Sequence, residues 1–155
     1  MSSEQYVWVD RLKHNGDAYV WEPEYVTPDI GHDLTINETD VMPDLARQPG
    51  IVSFYAELAG DLNAEVKRKE GQLEKVKLQL QALRRIELDS TGTRATQAVL
   101  DEGIVEREEY QRGVEAVSMA RFYYVRAQSW YKGVESKKDL MVAMAYRQNA
   151  EMKSL

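Results

Sequence analysis

The amino-acid sequence predicts an all-α fold in which two long helices form an antiparallel, coiled-coil-like hairpin. Residues 55–83 and residues 113–145 each carry mostly apolar or small side chains at alternating steps of four and three. A period of 3.5 residues is typical of a helix packed along its length against another helix. The segment between the two stretches is rich in Gly and Thr, which favour a break in the chain. Because elongated helices share a core poorly, the same pattern favours an oligomer.

The heptad positions supply the contacts that we expect between the copies of such an oligomer. Gly113, Ala120 and Ala127 recur at seven-residue intervals and indicate a narrow seam, where another helix backbone approaches closely. The larger side chains at heptad positions are the predicted oligomer interface: Leu62, Val66, Leu73, Val76, Leu80, Tyr124 and Tyr131.

Helix start and stop signals set the predicted boundaries of the helical hairpin. Pro49-Gly50 precedes the first long helix, which we expect at residues 51–88. Thr93 is placed to cap a short connecting helix at residues 94–101. The second long helix is expected at residues 106–152.

The N-terminal arm is predicted to be either a short β-hairpin or an irregular segment with adhesive aromatic side chains. In residues 6–9 and residues 18–21, aliphatic side chains alternate with aromatic ones. Asn15-Gly16 lies between these two segments. Asn-Gly supplies the positive φ angles of a type I′ turn. An isolated two-stranded hairpin is marginal in water, so this one would have to dock on the helices or on a partner.

The sequence between the arm and the long helices predicts a short extended segment at residues 33–36. Asn37 is a suitable N-cap for a brief helix, although Pro43 would lie inside it. We therefore divide the chain into an acidic N-terminal arm, residues 1–48, and a helical hairpin domain, residues 49–155.

Composition excludes several classes of protein. The chain has no Cys, so it offers no disulfide framework or thiolate metal site, and a cytoplasmic location is the simplest expectation. No apolar run is long enough to span a membrane, and the first ten residues lack the pattern of a signal peptide. His14 and His32 lie apart in the acidic arm, and no nucleophile can be paired with a base by spacing. We expect neither an enzyme nor a cofactor or metal site.

The net charge of −6 conceals an uneven distribution. Residues 1–48 carry a net charge of −7, whereas residues 112–155 carry +4. Within the first long helix, residues 67–85 hold seven basic and two acidic side chains. An acidic arm therefore accompanies two basic helical segments, and the overall acidity does not exclude a nucleic-acid partner.

The basic segments carry the main functional hypothesis, which is binding of single-stranded nucleic acid. Such a ligand requires cations along its phosphates and aromatic rings on which bases stack. The second helix interleaves its cations with Phe122, Tyr123, Tyr124, Trp130 and Tyr131. The alternative is an ordinary solvated helix face, with Tyr124 and Tyr131 on the heptad seam. The candidate phosphate contacts are Lys67, Arg68, Lys69, Lys75, Lys77, Arg84, Arg85, Arg121, Arg126 and Lys132.

From residue 33 onward the chain resembles the phage recombination mediator family typified by UvsY. The similar strings are DLTIN at 33–37, RQPGIVSFYAEL at 47–58, ALRR at 82–85 before the break at 90–92, and KKDLMV at 137–142. The resemblance implies a non-enzymatic protein that binds single-stranded DNA, assembles as a ring, and contacts a strand-exchange recombinase and the single-strand-binding protein. It also implies a role in loading the recombinase onto DNA, in the host cytoplasm if the protein is phage-encoded.

Two features depart from that family pattern. The basic pair expected near the end of the first helix is matched at Arg84, but Ile86 stands at the second position and Arg85 is displaced by one. The aromatic arm, residues 1–32, lies outside the resemblance and could dock a partner or shield the basic surface. The alternative function is a phage structural, assembly or host-modulating adaptor that uses the helical seam for protein contacts.

Overall fold

The structure, a computed structural model, describes residues 6–154 and is mostly helical. Two long helices pack together, as the heptad pattern predicts, and an antiparallel two-stranded hairpin precedes them. The elements in chain order are β1 (Val7–Asn15), β2 (Ala18–Val26), α1 (Ile30–Leu34), α2 (Met42–Thr91), α3 (Gln97–Val105) and α4 (Glu108–Lys153). Assembly into an oligomer stays a prediction.

The chain forms two compact units. We call one the terminal unit, which comprises the chain up to Leu62 and again from Tyr123 onward, and the other the middle unit, Asn63–Phe122. Both α2 and α4 contribute to each unit. The predicted boundary at residues 48 and 49 falls inside α2, and the predicted division into an arm and a hairpin domain stays a prediction.

The core of the terminal unit joins the hairpin to both long helices. Val7 and Val9 alternate along β1 and are both buried. They pack in one cluster with apolar side chains of α2 and α4, and the ring centroids of Tyr55 and Trp130 lie 6.4 Å apart. The hairpin is therefore part of the core and not a detachable arm. The helical members of this cluster are Tyr55, Leu58, Ala59, Leu62, Tyr123, Ala127, Trp130 and Val134.

The predicted β-hairpin is present, but its turn differs from the expected type. The strands pair from Val7 opposite Val26 to Asn15 opposite Ala18, so the two-residue turn is Gly16-Asp17. Gly16 has φ +64°, and no described residue other than glycine has a positive φ. A positive φ at the first central position alone is the pattern of type II′, whereas type I′ requires it at both.

The first long helix begins earlier than predicted. We expected it at residue 51, after Pro49-Gly50, but α2 begins at Met42 and contains Pro49. Pro49 has no amide to donate to the carbonyl of Leu45, which costs one helical hydrogen bond. The neighbouring side chains of Val41 and Gln48 are buried. The burial of these two side chains therefore outweighs the tendency of Pro49-Gly50 to interrupt a helix.

The predictions for residues 33–37 were also wrong in part. Asp33 and Leu34 end the short helix α1, so the expected extended segment is helical over its first half. Asn37 caps no brief helix; its side-chain oxygen instead accepts from the backbone N–H groups of Thr39, at 3.1 Å, and Asp40, at 3.4 Å. This local turn leads into α2 and replaces the separate helix that we expected.

The connecting helix is present, shifted by several residues. Gly92 has φ +70°, a left-handed conformation that ends α2 where the Gly and Thr break is predicted. The cap of α3 is Thr96 and not Thr93, because the Thr96 hydroxyl accepts from the N–H of Val99 at 3.4 Å. Thr93 and Thr96 are both suitable N-cap residues and lie three positions apart, so the sequence alone does not distinguish between them.

The middle unit contains the antiparallel packing of α2 against α4. Arg121 pairs with Glu70, and a Cβ added at Gly113 would lie 2.8 Å from Cδ1 of Leu73, so residue numbers fall along α4 as they rise along α2. The prediction that a helix backbone approaches closely at Gly113 is wrong, because the side chain of Leu73 occupies this space. The buried apolar residues of this unit are Val66, Leu80, Leu88, Leu100, Ile104, Val117 and Ala120.

Truncation of Leu62 should test the core directly. Its side chain is fully buried, with 0% exposed, so Leu62→Ala should lower the free energy of unfolding by about 2–5 kcal/mol. Leu78 lies on the same helix and is 57% exposed, so Leu78→Ala should cost about 0.5 kcal/mol at most. Urea unfolding followed by circular dichroism measures both. Equal losses would contradict the assigned core.

Candidate nucleic-acid interface

Three of the predicted phosphate contacts on α2 are available to a ligand. Lys67, Lys75 and Arg85 are exposed and form no ion pair with any residue in the described part of the chain. At 3.6 residues per turn they fall within an arc of about 80°, along roughly 27 Å of helix. We call these three cations, all in the middle unit, the α2 stripe. Glu74 and Asp89 lie on the same face and reduce its net charge.

The other predicted cations of α2 are less accessible. Arg68, Lys69 and Lys77 are half-buried. Arg84 donates from Nη1 to Oε2 of Glu87 at 3.0 Å, and its side chain lies against Gly103, where an added Cβ would be 2.6 Å from Nε. Arg84 therefore supports the packing of α2 and α3, and its neighbour Arg85 is the better phosphate contact.

Glu87 connects two arginines of the middle unit. Arg107 donates from Nη2 to Oε1 of Glu87 at 2.9 Å, whereas Arg84 donates to the other carboxylate oxygen, Oε2. The hydrogen bonds from Arg84 and Arg107 hold the pKa of Glu87 below its ordinary value of 4.5. The folded chain therefore favours the ionised carboxylate, and this cluster ties the end of α2 to the segment before α4.

The predicted cations of α4 are mostly engaged within their own units. Arg121 is exposed but pairs with Glu70 of α2. Arg126 donates from Nη1 to the backbone carbonyl of Tyr6 at 2.8 Å and so holds the start of the hairpin. Lys132 is exposed and forms no ion pair with a described residue, which leaves it as the one predicted α4 cation of this kind.

The aromatic side chains of α4 are not displayed as a stacking platform. Tyr123 and Trp130 belong to the buried core of the terminal unit. Tyr124 and Tyr131 are half-buried, and the Tyr131 hydroxyl donates to Glu135 at 2.6 Å. Phe122 alone of the five is exposed. The predicted interleaving of cations and rings therefore describes the packing of α4 and not a surface for bases.

The residues predicted to form the oligomer interface are largely covered within the chain. Leu62, Val66 and Leu80 are buried, and Leu73 and Val76 are half-buried. The heptad seam thus has its partner in the same chain, and a second copy would have to use other side chains. Large exposed apolar residues that remain on the two long helices of the middle unit are Leu78, Leu83, Ile86, Val114, Met119 and Phe122.

The hairpin arranges the aromatic side chains of the arm into one surface, and sequence reasoning did not identify which residues share it. One face of the two strands carries four cross-strand pairs, three of which include an aromatic side chain, and the ring centroids of Trp8 and Tyr25 lie only 3.4 Å apart. Leu12 and Trp21, the next apolar pair, are both about half exposed, at 52% and 49%. The third aromatic pair brings the rings of His14 and Tyr19 to 4.9 Å. The signal was the period-two alternation, which we noted only for residues 6–9 and 18–21.

Two further kinds of site have no counterpart among residues 6–154. No helix there is both long enough and apolar enough to cross a membrane. The described residues contain no group of three or more His, Cys, Asp or Glu side chains arranged to hold a metal ion.

Comparison with known proteins provides no assignment. Neither a protein family, nor a curated protein, nor a solved structure matches this chain. The resemblance to the recombination mediators therefore rests on the short strings quoted above and stays a prediction.

The Glu87 cluster predicts a pH-dependent contribution to stability. A depressed pKa in the folded state stabilises the fold above the ordinary value of 4.5, and this contribution is lost as the pH falls through the folded-state pKa. Glu87→Gln should therefore destabilise the chain at pH 7 and have little effect at pH 3, as measured by urea unfolding. Glu74→Gln, at an exposed position of the same helix, is the control. An equal loss at both pH values would show that the ion pairs contribute nothing.

Proposed function

We propose that the protein binds single-stranded DNA through the α2 stripe. The observation that carries this proposal is that Lys67, Lys75 and Arg85 share one exposed face without ion pairs to described residues. Cations placed along a helix contact successive phosphates and release the counterions condensed on the strand. Lys132 is a candidate for a further contact.

Three cations interrupted by two carboxylates support only weak binding by one copy. Several copies bound to one strand would raise the affinity through effective concentration, without any new type of contact. We therefore propose that the active species is a homo-oligomer, formed through exposed apolar side chains and not through the filled heptad seam.

We further propose that DNA binding serves to load a strand-exchange recombinase onto DNA covered by single-strand-binding protein. This step is supported by the resemblance of residues 33–58, 82–85 and 137–142 to the recombination mediators. Its mechanism requires no catalytic group, because holding the strand and contacting both proteins suffices. A cytoplasmic location, in the host cell if the protein is phage-encoded, follows from the proposal.

Removal of the α2 stripe should weaken DNA binding in a salt-dependent way. For single strands the slope of log affinity against log salt changes by about 0.7 per phosphate contact. The triple variant Lys67→Ala, Lys75→Ala, Arg85→Ala should therefore flatten the slope by about 2 if one set acts per bound strand. Fluorescence anisotropy with a labelled oligonucleotide at several salt concentrations measures this, and light scattering reports the number of subunits.

Matched controls distinguish the stripe from the general charge of the chain. Arg112 and Arg147 are exposed and each pairs with a glutamate four residues away, so replacing both with Ala should leave the slope unchanged. Retention of the native slope by the triple variant would refute the stripe as the DNA site.

An adaptor protein is the second candidate, and the aromatic face of the hairpin favours it. A patch built from Leu12, Tyr19, Trp21 and Tyr25 is typical of a protein contact surface. An adaptor predicts no oligonucleotide binding even at very low salt. Deletion of the arm is not a clean test, because Val7 and Val9 lie in the core. Trp21→Ala is the better variant, because Trp21 lies on the exposed face of the hairpin and is not a member of that core.

A further inference from the structure

A cavity of about 220 Å³ lies beside the start of α2 in the terminal unit. Its wall comprises α1 with the segment that follows it, the first turns of α2, and one side chain of α4. The residues that determine its chemistry are Asp33, Asp44, Arg47, Gln48 and Lys137. None of these belongs to the α2 stripe, so the inference drawn from this cavity does not depend on DNA binding.

Gln48 lines this cavity and carries an unpartnered side-chain amide. The residue is 1% exposed, and neither Nε2 nor Oε1 has a hydrogen-bond partner. Buried side-chain amides are nearly always paired, because an unmade hydrogen bond keeps the full cost of desolvation. Gln48 therefore offers both a donor and an acceptor to a molecule in the cavity.

Lys137 adds a buried cation. The residue is 7% exposed, and its Nζ donates to the backbone carbonyl of Asp33 at 2.7 Å. An ammonium group carries three N–H donors, and Lys137 forms no ion pair with a residue in the described range. Lys137 also interacts electrostatically with Asp44, but no described carboxylate pairs directly with its Nζ, so the remaining donors favour an anionic oxygen.

The carboxylates of the wall are already engaged by other groups. Asp33 accepts a hydrogen bond from the Tyr55 hydroxyl at 2.8 Å. Asp44 accepts from the backbone N–H of Asn37 at 3.0 Å and pairs with Arg47. The Asn37 hydrogen bond and Arg47 hold the pKa of Asp44 below its ordinary value, so this group stays ionised at neutral pH. Two carboxylates in the wall disfavour a dianion.

We propose that this cavity binds a small carboxylate that carries its own hydrogen-bond donor, namely a 2-hydroxy carboxylate or a zwitterionic 2-amino acid. The ligand carboxylate accepts from Nζ of Lys137 and from Nε2 of Gln48. The ligand hydroxyl or ammonium donates to Oε1 of Gln48. Hydroxy acids and free amino acids share this chemistry, and the choice between them is an outcome of the test.

The decisive experiment compares acids that differ in a single group, using the full native chain. Glycolate and acetate differ by one hydroxyl, and glycine replaces that hydroxyl with an ammonium group, which also removes the net charge. We expect ligand-observed NMR and thermal unfolding to show glycolate or glycine binding about tenfold more tightly than acetate, the effect of roughly one hydrogen bond. Hydrogen phosphate, mostly a dianion at pH 8, should bind more weakly. Equal binding of acetate, or no binding of any acid at millimolar concentration, would overturn the proposal.

A variant of Gln48 tests the assignment of residues. Gln48→Met retains a long side chain of similar size without polar atoms, so the unligated variant should unfold at the same or a higher temperature and lose the stabilisation by glycolate or glycine. Lys138→Met, at the adjacent position outside the cavity wall, should keep it. Stabilisation retained in Gln48→Met would overturn the role of the amide. Oligonucleotide affinity should be unchanged in both variants, and the comparison of acids on the native chain decides the matter if Gln48→Met does not fold.

Discussion

The packing of α2 against α4 is the interaction on which the other features of this protein depend. In the terminal unit it brings Tyr55 and Leu62 against Tyr123, Ala127 and Trp130, and this surface receives the two valines of β1. In the middle unit it places Leu73 against Gly113, where an added Cβ would lie 2.8 Å from Cδ1 of Leu73. Because most heptad positions are consumed by this intrachain seam, the surface open to partners consists of other side chains.

That constraint determines which charges remain available. Arginines near the seam or near a loop are held by carboxylates or carbonyls: Arg84 by Glu87, Arg121 by Glu70, and Arg126 by the carbonyl of Tyr6. Lys67, Lys75 and Arg85, on the face of α2 turned away from the seam, have no such partner among residues 6–154. Exposed ion pairs contribute little stability, so the arginine contacts chiefly fix local geometry. The proposed DNA surface therefore consists of cations that are not engaged in ion pairs or hydrogen bonds within the described part of the chain.

The N-terminal hairpin has two unlike faces as a consequence of strand alternation. Val7 and Val9 point into the core of the terminal unit, and the opposite face carries Trp8, Leu12 and their cross-strand partners. An isolated hairpin would be marginal, and docking of the valine face on the helices removes that instability. Docking leaves the aromatic face exposed, which is the reason that an adaptor function stays open.

Sequence by itself determined the two long helices, the break between them and the heptad residues Leu62, Val66, Ala120 and Ala127 that lie inside, and it left the hairpin as one of two alternatives for the arm. These features follow from the local periodicity of apolar residues and from turn-forming residues, both of which can be read directly from the sequence. Only the tertiary structure decided that Pro49 lies within α2, that Thr96 and not Thr93 caps α3, and that Trp130 is core. It alone brought Lys137 to the carbonyl of Asp33, 104 positions earlier. Such choices depend on which distant side chains compete for the same space, and no local pattern records that competition.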